Sequence, residues 1–145
     1  MKLAWEAFMT NHRQTILKLY ASAEGNSLDL EAFLSCFAPD GYARNVSAQM
    51  DFRGADIAKV AKDMAEGFPD IHREIFSLDV AADTVVVELA IRGTHLGTLM
   101  TPQGPLAATG KIINVPCCDV FRMKKGKIAA FHCYNISGIM QHQLS

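Results

Sequence analysis

The second half of the chain most restricts its fold. After Pro69 come four segments of strand-like alternation: "IHREIFSLDVA", "DTVVVELAIRGTHLG", "GKIINVPCCDVFRM" and "GKIAAFHCYNIS". Three segments of helical spacing precede them. Helices first and a run of antiparallel strands afterwards make an α+β chain rather than alternating βαβ units. A long sheet with helices on one face tends to curl, and its concave side can enclose a ligand pocket. At 145 residues the chain fits one domain, residues 1–145, around one core.

The helices follow from apolar spacing. Ile16, Leu19, Tyr20 and Ala23 recur at i, i+3, i+4 and i+7, which predicts a first helix from Asn11, as N-cap, to Ala23, stopped by Gly25. The second follows Ser27, with Leu30, Phe33, Leu34 and Phe37 on one stripe. The third follows Gly54, with Ile57, Val60, Ala61 and Met64 inward, and ends at Gly67. "GYARNVSAQMDFRG" reads as one or two short strands, and "TPQGPLAATG" as a loop. Trp5 and Phe8, ahead of the first helix, are expected to pack on the sheet or cover its mouth.

The last two strands raise a chemical question. A three-residue loop, Lys124-Lys125-Gly126, needs a positive φ only at Gly126, so it is expected in place of a two-residue turn. It sets Cys117 opposite Cys133 and Asp119 opposite Phe131. Val115, Cys117, Asp119 and Phe121 then share a face with Phe131, Cys133 and Asn135, while Cys118, Arg122, His132 and Tyr134 take the other. Small thiols fill space in a core without comment. An aspartate there is different, because desolvation raises its pKa and an unpaired charge costs several kcal/mol. Either a partner satisfies Asp119 or it is a protonated acid with a task.

Composition excludes several classes. Net charge is −1, from 14 basic and 15 acidic residues well mixed, so neither nucleic acid nor an anionic membrane is an expected partner. Arg122, Lys124, Lys125 and Lys127 crowd a turn, as a solvated hairpin tip does. No apolar run reaches the ~20 residues of a membrane helix. Glu6 interrupts any signal-like stretch, and the chain reads as cytoplasmic. Cys36, Cys117, Cys118 and Cys133 show no CxxC spacing and are expected as free thiols. No cofactor is expected. Zinc on Cys117, Cys133 and Asp119 is conceivable, but no histidine clearly shares their face, so no metal is expected.

"CCDVFRMKKGKI", "RGTHLG" and "FAPDGYARN" resemble the corresponding stretches of the SnoaL-like polyketide cyclases and ketosteroid isomerases, within the nuclear transport factor 2-like superfamily. The resemblance covers residues 10 to 144. It implies a cone: a strongly curved antiparallel sheet wrapped over three helices, a closed apolar pocket and commonly a homodimer. In the ketosteroid isomerases the matching aspartate is a protonated oxyanion donor, the pattern Asp119 matches. Their second donor, a tyrosine late in the first helix, matches Tyr20. Their general base falls on Asn45, which accepts no proton at neutral pH. The cyclases' acid/base aspartate falls on Cys133, and its polar neighbours fall on Cys117 and Asp119.

The resemblance implies isomerase, cyclase or dehydratase chemistry on a small apolar, carbonyl-bearing molecule through an enolate. Asp119 and Tyr20 would stabilise the oxyanion, with His95 of the "GTHLG" turn or the substrate itself as base. Val115, Cys117, Phe131, Cys133, Asn135 and Asn45 would line the pocket. The alternative is a non-catalytic binding or dimerisation module on the same fold, since both familiar bases are replaced.

Overall fold

A computed structural model describes residues 2–145, without the side chains of residues 2, 3 and 5–10. The expectation for Trp5 and Phe8 therefore lies outside the described residues. The elements run α1 (Lys2–Ala23), α2 (Leu30–Ser35), β1 (Phe37–Asn45), β2 (Met50–Arg53), a 3-10 turn (Gly54–Ala58), α3 (Lys59–Gly67), β3 (His72–Ala81), β4 (Thr84–Thr94), β5 (Leu99–Thr101), β6 (Gly104–Leu106), β7 (Ile112–Lys124), β8 (Lys127–Asn135) and α4 (Ser137–Leu144). Six strands form one sheet in the order β2-β1-β8-β7-β4-β3, and β5 and β6 form a small hairpin. The class is α+β, with the helices gathered on one side. No described helix is long and apolar enough to cross a membrane.

The sheet curves because three of its strands carry irregularities: between Phe37 and Tyr42 in β1, Ile75 and Ser77 in β3, and Ile128 and Ala130 in β8. Each bends its strand and increases the local twist. The sheet is not wholly antiparallel, because β1 runs parallel to β8. The helices lie on the concave side. Ile16, Leu19, Tyr20 and Ala23 of α1 are all buried there, as their spacing requires, against Val85, Val87, Phe121 and Phe131 of the sheet.

Local details depart from expectation for identifiable reasons. Helix α1 continues back to Lys2, so Asn11 is interior rather than an N-cap. Thr15 Oγ1, 2.9 Å from the Gly126 carbonyl, fastens this helix to the β7–β8 turn. The N-cap of α2 is Asp29, whose Oδ1 accepts from Ala32 N at 3.0 Å, not Ser27. Phe37 belongs to β1 and reaches the same core from there. The loop after β4 contains the β5–β6 hairpin. Helix α4 is an addition to the expected elements: Ile136, Ile139, Met140 and Leu144 fall at i, i+3, i+4 and i+8, but the helix is only eight residues long and follows directly on a strand; Gln143 ties it to Asn114 of β7 through both amide atoms.

The β7–β8 connection is the instructive correction. It is a two-residue turn, with Lys125 at φ 52° and Gly126 at φ 76°, and Lys124 faces Lys127. Lys125 accepts a left-handed conformation costing about 1–2 kcal/mol. The residue removed from the loop is matched by one inserted as a bulge at Ala129. The two changes move the register by two residues. Partners change, so Asp119 faces Cys133 and Cys117 faces Asn135, but no side chain changes face.

Gly97 closes the turn after β4 against α3: a Cβ there would run into the Glu66 carbonyl oxygen, and Leu96 N and Gly97 N both bond to Gly67 O at 3.1 Å. Gly97→Ala should destabilise the chain by about 1–3 kcal/mol, read as a lower urea midpoint with unchanged slope. An unshifted midpoint would show that this turn yields without cost.

Candidate functional site

The register sets Asn45, Cys133, Asp119, Val87 and Leu78 side by side across five strands. Directly opposed residues share a face, so all five look into the concave side. The next row holds Asn135, Cys117 and Leu89. Val115, on the same face of β7, and Phe131 of β8 are both buried. Phe131 packs on Phe121 with ring centroids 4.6 Å apart, and Phe121 meets the Tyr20 ring edge-on at 6.2 Å.

Asp119 is 3% exposed. Its Oδ2 accepts a hydrogen bond from Tyr20 Oη at 2.6 Å, and its Oδ1 lies 3.3 Å from Cys117 Sγ. Cys117 Sγ is 3.7 Å from Cys133 Sγ, which lies 3.5 Å from Asn135 Nδ2. Asn135 continues to Asn45 Oδ1 at 3.4 Å and to Ser47 Oγ at 2.9 Å. The polar atoms thus form one strip. It starts at exposed Ser47, passes the half-buried Asn45, Asn135 and Cys133, and ends at buried Cys117, Asp119 and Tyr20. Ser47 is the member that sequence reasoning missed: it sits in the β1–β2 turn, where a serine carries no signal of its own.

Burial is the main electrostatic force on this strip. It lifts the Asp119 carboxyl above the ordinary carboxylate range, although bonds from Tyr20, Cys117 and Cys133 oppose the rise. It also lifts the Tyr20 phenol, helped by Asp119. The Cys117 thiol is raised by its bond to Cys133 and then by burial. All three groups therefore favour their neutral, proton-bearing forms, the opposite of an activated thiolate.

The remaining candidates divide clearly. Asn45 Oδ1 also takes Ala48 N at 3.2 Å, so it fastens the β1–β2 turn besides facing the strip. His95 is fully buried, eight residues beyond Val87, the partner of Asp119 on β4. That is roughly 25 Å along the strand at ~3.3 Å per residue. Its Nδ1 accepts from Thr109 N at 3.2 Å, its backbone bonds to Lys111 and Gly110, and its ring packs on Phe68. It latches the two ends of the β5–β6 excursion. His132 and Cys118 take the outer face, where Tyr42 Oη meets His132 Nε2 at 2.8 Å. Two surface concavities, about 310 Å³ beside Pro39 and Lys125 and about 250 Å³ beside Asp29 and Ser35, do not touch the strip.

The curved sheet over helices defines the class of cone-shaped α+β proteins. Solved structures agree on the fold. A SnoaL-like protein from Jannaschia sp. CCS1 superposes with a TM-score of 0.82 at 19% identity, covering 94% of this chain and 93% of that one. IdmH from Streptomyces antibioticus, a candidate polyketide cyclase, gives 0.74 at 23%, over 92% and 97%. A protein of ketosteroid isomerase-like fold from Catenulispora acidiphila gives 0.70 at 17%, over 89% and 91%. The sequence profile of the SnoaL-like polyketide cyclases matches residues 14–142, and the chain belongs to that family. No curated protein matches it.

Because Asp119 holds its proton more tightly folded than unfolded, its own contribution to stability should be fully present below the unfolded carboxyl value of ~3.9. It should fall as pH rises from there toward the raised folded value. Asp119→Asn lacks this contribution. The stability of wild type relative to Asp119→Asn, from urea unfolding at several pH values, should therefore decline toward neutral pH. A constant or rising difference would mean that Asp119 is charged inside the fold.

Proposed function

We propose that the chain binds a small, mostly apolar, carbonyl-bearing molecule on the concave face and stabilises its enol or enolate, as an isomerase, cyclase or dehydratase of the family would. The observation carrying this reading is the buried 2.6 Å bond between Tyr20 and Asp119, two groups whose hold on a proton burial strengthens. A carbonyl oxygen entering between them would exchange their mutual bond for one from each. Neither donor bears a charge beforehand, so both strengthen as negative charge develops on that oxygen. Phe121, Phe131, Val115 and Val87 supply the apolar surround.

The strip supports an approach from the Ser47–Asn135 end, where it meets solvent. Cys117 and Cys133 line that approach with their thiols. His95 takes no proton in this reading because the strand holds it too far from Asp119, and the substrate's own basic group does so. Four free cysteines support a reducing, cytoplasmic setting. The exposed Phe76, Ile112 and Tyr134 support pairing with a second copy of the chain.

A second reading, a binding module without turnover, is favoured by one observation. Asn45, at the position of the isomerase base, spends its oxygen on the β1–β2 turn, and Cys133 stands where the cyclases keep a carboxylate.

Phenols and naphthols, which mimic an enolate, test the donor pair. Wild type should bind them, and Asp119→Asn or Tyr20→Phe should weaken them about 10- to 100-fold, as expected for one hydrogen bond to a charged group of about 1.5–3 kcal/mol. Equal affinity across wild type and both variants would refute the pair's role. Asn45→Asp, assayed on a β,γ-unsaturated ketone, separates the readings: a gain of isomerisation indicates that only the base is missing.

A further inference from the structure

The three atoms Cys117 Sγ, a carboxylate oxygen of Asp119 and Cys133 Sγ all lie within 4.8 Å of one another. A tetrahedral zinc with Zn–S near 2.3 Å and Zn–O near 2.1 Å holds two sulfurs about 3.8 Å apart and a sulfur and oxygen about 3.6 Å apart. The corresponding separations here are 3.7 Å for Cys117–Cys133 and 3.3 Å for Cys117–Asp119. From this match we propose that Cys117, Asp119 and Cys133 form a binding site for a soft divalent cation, zinc above all, with water in the fourth position.

The sheet favours this use of the thiols over a disulfide. Cys117 pairs with Asn135 and Cys133 with Asp119, so the cysteines are diagonal neighbours rather than opposed. Diagonal Cα atoms lie ~7–8 Å apart, at or beyond the limit for an unstrained S–S bridge. Their sulfurs meet without bonding, as two ligands of one ion do. Two thiolates and one carboxylate also select zinc over magnesium or calcium, which want oxygen alone.

The ligand atoms already have outer partners that would hold them in place. Tyr20 donates to Asp119 Oδ2, leaving Oδ1 directed toward Cys117, and Asn135 Nδ2 lies 3.5 Å from the Cys133 sulfur. On binding, the thiol and carboxyl protons leave to solvent and a Zn²⁺ ion replaces them. The site then carries one net negative charge. Asp119 cannot be a metal ligand and a hydrogen-bond donor to a carbonyl at once, so the ion and an enolate mimic exclude one another.

Cobalt(II) titration of the reduced, metal-free chain tests this. One equivalent should bind, with a sulfur-to-cobalt charge-transfer band in the near ultraviolet and tetrahedral bands in the visible, all bleached by zinc. The Cys36→Ser/Cys118→Ser double variant should keep the bands, Cys117→Ser or Cys133→Ser should lose about half of the charge-transfer intensity, and the Cys117→Ser/Cys133→Ser double variant should lose all of it, each variant first shown to be folded by circular dichroism. Independently of any variant, zinc should raise the melting temperature of the wild type. No band and no rise in wild type, or a band that survives loss of both Cys117 and Cys133, would overturn the site. Naphthol binding measured in the presence of a chelator keeps this outcome separate from that of the donor pair.

Discussion

Much in this molecule follows from placing one carboxyl group where water cannot reach it. Asp119 sits midway along the long strand β7, and the residue that satisfies it, Tyr20, comes from α1 ninety-nine positions earlier. Their bond joins the helical layer to the sheet at the centre of the concave face. A charge there would cost several kcal/mol without full compensation, so the fold tolerates Asp119 most readily as an acid. The same contact sets the Tyr20 phenol directly beside the Asp119 carboxyl.

The fold was largely legible because its main signals are local and periodic. The i, i+3, i+4, i+7 stripe of α1 and the period-two alternation of β7 and β8 put Tyr20 and Asp119 each on an inward face, while their pairing is implied by the family resemblance alone. The register was not legible, since turn length and the bulge at Ala129 depend on how β8 fits between β1 and β7. The shorter turn and the bulge each shift the register by one residue, so together they change every partner and leave every side chain on its face.

What escaped the sequence was mostly tertiary. Ser47 is an unremarkable polar residue until β1 pairs in parallel with β8 and brings it to Asn135. A histidine inside a turn suggests exposure, yet His95 is buried because the β5–β6 excursion folds back and Thr109 closes on its ring. Helix α4 has no capping side chain and only eight residues to announce it. The resemblance sets Asn45 against the isomerases' basic aspartate and Cys133 against the cyclases' acid/base aspartate. Here those positions carry an amide and a thiol, and the strip they belong to grades from solvent to core without a strong base.

The protonation state of Asp119 can be followed directly by the carbon-13 resonance of its carboxyl group as pH is varied. It should titrate above the ordinary carboxyl value of ~3.9. It should move higher still in Tyr20→Phe, since the tyrosine's bond favours the charged form. A carboxyl already ionised below that value, or unmoved by loss of Tyr20, would contradict a neutral acid at the heart of the cone.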